Sequence, residues 1–252
     1  MAAWSLWGIL RNVEPKKPRH TDPFAEAFLQ RLGARPEAEH FVLGGYFALK
    51  HYLDYRETGD VDAWWRSRLN PVALAAARET FAATAAEFGY AMRERTWGET
   101  ISLEAVDNDQ RVFSFQVAVR SVEIGAPLSS PWGHVSIETL EDNVASKMVA
   151  LVQRGAPRDF VDIKHVVDAG LVTVDRCWEL WTTKSTDGDL EQARLRAKMR
   201  LHAIEARMPL DSLPAERRSE AAQLRAWYRD VFTAPAGRAR GERHGGGEES
   251  DP

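Results

Sequence analysis

Apolar residues along this chain recur in two rhythms, every second residue or every third to fourth, and the switches between them mark out its elements. The run Phe41-Val42-Leu43 predicts a short buried strand, Gly44-Gly45 a turn, and Tyr46, Leu49 and Leu53 one face of a helix, after which residues 60–65 read as a second strand. Before this unit, Trp4, Trp7 and Leu10 predict a short amphipathic helix over residues 4–12, broken by Pro15 and Pro18. Thr21 or Asp22 then caps a helix that shows Phe24, Phe28 and Leu32 on one side and stops at Gly33. After it, Asn70-Pro71 opens a helix over residues 72–88, and strands are expected near 91–96, 100–105 and 112–119, with Asp107-Asn108-Asp109 in the last turn. A Pro/Ser/Gly-rich loop, GAPLSSPWG, separates these strands from a brief strand near Val135 and from helices over 141–153, 159–168, 174–181, 190–207 and 215–232. The expected fold is α+β: a mixed sheet with flanking helices in residues 1–125, a helical lobe over 126–233, and a disordered tail over 234–252.

The strand GDVDAWW holds the first candidate chemistry. Side chains alternate along a strand, so Asp60 and Asp62 project from one face while Val61 turns into the packing. Two carboxylates held that close repel, and a hard divalent cation such as Mg²⁺ between them relieves the repulsion. Upstream, Gly44 and Gly45 open a helical pattern, where backbone N–H groups can approach a phosphate. Trp64 shares the strand face of both aspartates and reads either as a base-stacking platform or as core.

Composition narrows the setting. The 252 residues are 44% hydrophobic with a formal net charge of −4, so no global positive field draws in nucleic acid and any such contact needs a local basic surface. Cys177 is the only cysteine, which excludes an intrachain disulfide and a cysteine zinc cage and fits a reducing cytoplasm. No stretch approaches membrane-spanning length and no secretory leader is evident, so a cytoplasmic protein is expected.

A second constellation lies in the helical half, in LEDNVASKMVALVQRGAPRDFVDIKHVV. Lys147 sits beside the stripe Val144, Met148, Leu151, where it either snorkels outward or meets a phosphate as a point charge. Arg158, Asp159 and Asp162 read either as a helix cap with an internal ion pair or as part of a site. Further on, Leu195, Met199 and His202 share one helix face and can pack inward, leaving Arg194, Arg196, Lys198 and Arg200 as the densest basic run, a solvated face or an RNA-docking surface.

Four segments in order, LGGYFAL, RETGDVD, LEDNVASKMVAL and RGAPRDFVDI, make residues 41–207 resemble the AbiEii/AbiGii toxin family of nucleotidyltransferases, a branch of the DNA polymerase β-like superfamily. The resemblance implies a two-lobed enzyme using NTP and Mg²⁺, with Asp60 and Asp62 as metal ligands and Lys147 on the nucleotide phosphates. It also implies Gly44, Gly45, Arg56, Thr58 and Arg158 on the nucleotide, and Asp159 or Asp162 closing the site. The 3′ end of a tRNA is the implied acceptor, and a cognate antitoxin the implied partner. Two features depart from the pattern: Tyr46-Phe47 are bulky after the glycines, and FSFQVAV offers Ser114 and Gln116 where a third strand carboxylate is usual, leaving Glu104, Glu123 or Asp159 as candidates. Two rival functions stand beside this one: kinase-like transfer of a γ-phosphoryl group to a protein or small molecule, and a nucleotide- or antitoxin-binding module that has lost its activity.

Overall fold

The computed structural model describes residues 13–120, 122–186 and 188–234. The expected helix over 4–12 and nearly all of the expected disordered tail lie outside them. The chain divides into two compact units, residues 1–147 and 148–252. The division falls later than the expected boundary at 125, because the strands following that point pair into the sheet of the first unit.

That sheet has seven strands: β1 (Phe41–Gly44), β2 (Asp60–Trp65), β3 (Ala91–Trp97), β4 (Thr100–Asp107), β5 (Gln110–Ala118), β6 (Leu128–Ser129) and β7 (Ser136–Ile137). Their order is β3-β4-β5-β2-β1-β7-β6. The β2–β5 and β1–β7 pairs are parallel and the others antiparallel, so the sheet is mixed. Asn108 and Asp109 take the left-handed conformation in the β4–β5 turn, with φ of 46° and 63°, as a two-residue hairpin requires of its central pair.

One face of the sheet is apolar. Val61, Ala63 and Trp65 of β2, Phe113, Phe115 and Val117 of β5, and Leu103 and Ala105 of β4 are all buried there. Two helices cover them, α1 (Pro23–Gly33) and α3 (Pro71–Glu87), and each starts where its sequence says it should. The Asp22 carboxylate accepts from the N–H groups of Phe24 and Ala25, and Asn70 Oδ1 accepts from Val72 and Ala73. Phe28 is fully buried, edge-on to Phe81 of α3 at 5.2 Å and to Phe115 of β5 at 5.0 Å, and ties both layers together. Burial of such a ring contributes roughly 2–3 kcal/mol.

The Pro/Ser/Gly-rich loop is docked rather than free. A Cβ on Gly33 would lie 1.7 Å from the Trp132 carbonyl oxygen, so only glycine allows the two backbones to approach. Trp132 is then buried, and its indole N–H donates to His51 Nε2 at 2.9 Å. His51 follows the short helix α2 (Gly45–Lys50), and its Nδ1 lies 2.8 Å from the Phe47 carbonyl. Accepting at one nitrogen and donating at the other requires the neutral ring.

In the second unit the helices are α5 (Pro157–Asp168), α6 (Val174–Lys184), α7 (Leu190–Arg207) and α8 (Ala215–Trp227), and α4 (Leu140–Gln153) runs across the division between the units. A π-helical turn, Tyr228–Phe232, closes α8. Tyr228 donates its hydroxyl to the Phe160 carbonyl at 2.7 Å, and the Trp178 indole donates to the Phe232 carbonyl at 2.9 Å, so the polar tips of both buried aromatics are satisfied. Cys177 is buried in this unit, and burial pushes its thiol up to about 12, which leaves it unreactive. No helix among the described residues is long and apolar enough to cross a membrane.

Burial pushes the His51 pKa down from 6.5 to about 4. The unfolded chain therefore takes up this proton at higher pH than the folded one, and the stabilisation, complete above pH 6.5, is lost as pH falls toward 4. The expected loss is roughly 3 kcal/mol. Urea unfolding between pH 7 and pH 4 reads it, and in His51→Gln, which can still accept and donate but does not titrate, this part of the pH slope should vanish. An unchanged slope in the variant would assign it to other groups.

Candidate active site

The polar face of the sheet carries the candidate site. Antiparallel pairing sets Gly44 of β1 opposite Asp62 of β2, and parallel pairing sets Asp60 opposite Ser114 and Asp62 opposite Gln116 on β5. Directly opposed residues share a face. Asp60, Asp62, Ser114 and Gln116 thus form one polar patch, as the alternation in GDVD predicts.

Each aspartate is held by a neighbour. Ser114 donates its hydroxyl to Asp60 Oδ1 at 2.7 Å, and Gln116 Nε2 donates to Ser114 Oγ at 3.2 Å. Arg111 Nη2 lies 3.6 Å from the same Asp60 oxygen. Thr58 Oγ1 accepts from the Asp60 N–H at 3.2 Å, which fixes the start of β2 and makes Thr58 a support for the aspartate. Asp62 is pressed against Gly45: a Cβ there would lie 2.0 Å from Asp62 Oδ2, and Gly45 has φ of +59°, where a side chain is strained in any case. Gly44 makes room for Trp64, whose Nε1 would meet a Cβ at 2.2 Å. The Gly-Gly pair therefore brings bare backbone onto the carboxylate face.

The residue after the glycines anchors the cationic side of the site. Tyr46 is buried, and its hydroxyl accepts from the Arg56 N–H at 2.9 Å while lying 3.0 Å from the Arg56 carbonyl. The Arg56 guanidinium lies over the Tyr46 ring at 3.4 Å, and Lys147 Nζ is 5.9 Å from that ring. The bulk that departs from the family pattern has a structural use, since Tyr46 pins the segment leading into β2 and its ring lies near two cations. Lys147 is only 7% exposed.

Several contributors leave little trace in the sequence. Asn143 of α4 donates from Nδ2 both to the Gly45 carbonyl and to Glu138 Oε2, each at 2.9 Å. Glu138 also accepts from Ser146 at 3.2 Å, and Arg120 Nη2 stands 3.6 Å from Glu138 and in contact with Asp142. Glu138, Asp142 and Asn143 are fully buried. This network ties the glycine turn to the helix that presents Lys147. Its one sequence signal is the density of polar residues in ETLEDN just ahead of an apolar stripe.

A divalent cation fits this donor set. Two hard carboxylates share one strand face, which suits an ion that takes one or two carboxylates and completes its shell with substrate phosphates. Among the described residues no group of three or more His, Cys, Asp or Glu side chains converges as a metal cage. The candidates for a third carboxylate are engaged elsewhere. Glu104 lies in the row Asp60–Ser114–Glu104 but is two strands away, with Arg93 at 2.7 Å. Glu123 pairs with Arg120 at 3.4 Å. Asp159 is gripped by the Arg154 fork at 2.9 and 3.0 Å and accepts from the Ala156 N–H, an N-terminal brace for α5.

Arg158, Asp159 and Asp162 belong to the second unit, Arg158 exposed and the two aspartates fully buried. The basic run on α7 departs from expectation. Ala193, Arg194, Ala197, Leu201 and Ile204 form its buried face, whereas Leu195 and Met199 are 49% and 63% exposed. Small alanines let the helix pack closely, and Arg194 packs with them: it pairs with Glu191 at 2.9 Å, and its guanidinium lies 5.5 Å from the centre of the Trp178 ring. Arg200 donates to the Gln153 carbonyl and packs against Gly155. Arg196, Lys198 and Arg200 lie on the exposed side of the helix, whereas Arg194 is buried.

No curated protein matches the chain. A crystal structure described as that of a "putative nucleotidyltransferase from H. pylori" aligns with a TM-score of 0.46 at 14% identity, covering 83% of this chain and 93% of the other. A family model described as "Nucleotidyl transferase AbiEii toxin, Type IV TA system" matches residues 27–238. Because that match takes in most of the chain, including both aspartates, both glycines and Lys147, the protein belongs to the AbiEii family of nucleotidyltransferase toxins.

Proposed function

We propose that this nucleotidyltransferase moves a nucleoside monophosphate from an NTP to a 3′ hydroxyl, with tRNA as the favoured acceptor and Mg²⁺ as the cation. The observation that carries the reading is the pressing of the Gly45 backbone against Asp62 on the strand face that also presents Asp60. In the reaction the acceptor oxygen attacks the α-phosphorus, the bond to the β-phosphate bridge breaks, pyrophosphate leaves, and the hydroxyl proton passes to solvent. Little covalent help is needed, so positioning and charge neutralisation carry the rate.

Asp60 and Asp62 would hold the cation, which when bound draws charge from the phosphate oxygens and orients them. Ser114 and Thr58 fix the Asp60 side chain and backbone, and Gly45 fixes Asp62. Lys147 and Arg56, on the Tyr46 ring beside the glycine turn, supply the positive charge suited to a triphosphate tail. Membership of a type IV toxin–antitoxin family implies an antitoxin as partner. Incubation with labelled NTP and total RNA tests the function: label in RNA with release of pyrophosphate is expected, and release of NDP would assign γ-phosphoryl transfer instead.

Asp60→Asn and Asp62→Asn are each expected to lower transfer at least about a hundredfold, the equivalent of losing roughly 3 kcal/mol of transition-state stabilisation, while thermal unfolding stays near that of the wild type. Turnover close to the wild type at saturating Mg²⁺ would remove the aspartates from the metal site. Lys147→Ala is expected to raise the KM for NTP or lower kcat without unfolding the chain, and Lys147→Arg to rescue poorly because a planar fork does not replace a compact ammonium. Lower stability with unchanged kinetics in Lys147→Ala would make that lysine a packing residue.

A further inference from the structure

The row that begins at the aspartates continues to the edge of the sheet. Pairing places Asp60, Ser114, Glu104 and Arg93 in one line across β2, β5, β4 and β3, and Asp62, Gln116, Ser102 and Arg95 in the next. Three strand spacings separate the aspartates from the arginines, about 14 Å, a distance of a few nucleotides. Trp97 lies two residues beyond Arg95 on β3 and so shares its face.

The side chains at this edge are open. Those of Arg95 and Arg111 are 62% and 44% exposed, and Trp97 is 48% exposed. The Arg93 Nε lies 2.7 Å from the buried Glu104 carboxylate, a tight pair that forms the floor of the patch. Arg95 stands 4.0 Å from that carboxylate and Arg111 3.6 Å from Asp60, beyond good hydrogen-bonding distance. Of the two guanidiniums on β3, Glu104 balances one, and Arg111 on β5 faces Asp60, so Arg95 leaves the edge itself net positive. The opposite face of β3 is different: Glu94 there is bound in a fork by Arg78 of α3 at 2.5 and 2.8 Å. Charges that protect an edge strand from pairing with other chains are thus already present on that side. They do not account for an exposed tryptophan two residues beyond an exposed arginine on this one.

We infer that Arg95 and Trp97 on one side of the Arg93–Glu104 pair, with Arg111 on the other, form the surface on which the last nucleotides of a single-stranded nucleic acid acceptor lie as its 3′ end reaches Asp60 and Asp62. The inference rests on the proposed transfer to a polynucleotide hydroxyl. Guanidiniums follow the phosphate backbone and an exposed indole stacks a base, the combination that holds single strands with little regard to sequence. On a chain whose net charge is −4, such a local surface is what an acceptor of this charge requires.

The test pairs two measurements on the full chain: fluorescence anisotropy with a labelled single-stranded RNA oligonucleotide, and steady-state transfer of labelled NTP to the same RNA. Arg95→Ala with Trp97→Ala is expected to weaken oligonucleotide binding and raise the KM for RNA by at least about tenfold, leaving the KM for NTP unchanged. Arg95→Gln alone is expected to reduce the slope of log affinity against log salt by about one. Arg95→Lys and Trp97→Phe should keep most of the binding, which separates docking from folding. If RNA binding is unaffected in the double variant, or is lost instead in Arg196→Glu with Lys198→Glu, the surface is elsewhere and the inference is overturned. Absence of transfer to RNA by the wild type would sink the functional reading, and the anisotropy series would still decide whether this edge binds single strands.

Discussion

The contact on which the site depends is the approach of the Gly45 backbone to the Asp62 carboxylate. A methyl group at Gly45 would lie 2.0 Å from Oδ2, so this geometry exists only where glycine follows β1. The pairing of Gly44 with Asp62 fixes the register of β1 on β2, and a slip of one residue would turn both aspartates into the core and Val61 out of it. From the same turn, Tyr46 braces Arg56, and Asn143 reaches the Gly45 carbonyl from α4. The cations and the carboxylates are thereby attached to one short stretch of backbone. Preorganisation of this kind lets charged groups act without rearranging when substrate arrives.

The two faces of the sheet divide the work. Packing of α1 and α3 against β2, β4 and β5 buries one face of the sheet, and it frees the other face to hold like charges that no stable core would accept. The strand alternation in GDVD records this division directly, which is why the aspartate pair is legible in the sequence itself. So are the caps at Asp22 and Asn70, where a short polar side chain precedes a proline and an apolar stripe. Helix α7 has the bounds its sequence predicts, since propensity and length do not depend on which face packs.

What the sequence hides is long-range. The loop GAPLSSPWG reads as a separator, yet the Gly33–Trp132 approach and the pairing of β7 with β1 draw it into the first unit, and neither contact leaves a local signal. The buried face of α7 is not the one hydropathy selects, because Leu195 and Met199 weigh more on any such count than Ala193 and Ala197, while close packing favours the alanines. Arg194 counts as polar but has a stem that packs beside Trp178 and a head that Glu191 satisfies. The network of Arg120, Glu138, Asp142 and Asn143 joins segments far apart in sequence, so charge pattern alone could not assemble it.

The central claim is that Asp60 and Asp62 form a metal site completed by the phosphates of an NTP. Crystals grown with Mn²⁺ and a non-hydrolysable NTP analogue test it most directly, because anomalous scattering locates the ion independently of any assumption about turnover. An anomalous peak within coordination distance of carboxylate oxygens from both aspartates, together with phosphate oxygens of the analogue, is the expected result. A nucleotide bound with no metal at these aspartates, or a metal held by other side chains, would contradict it.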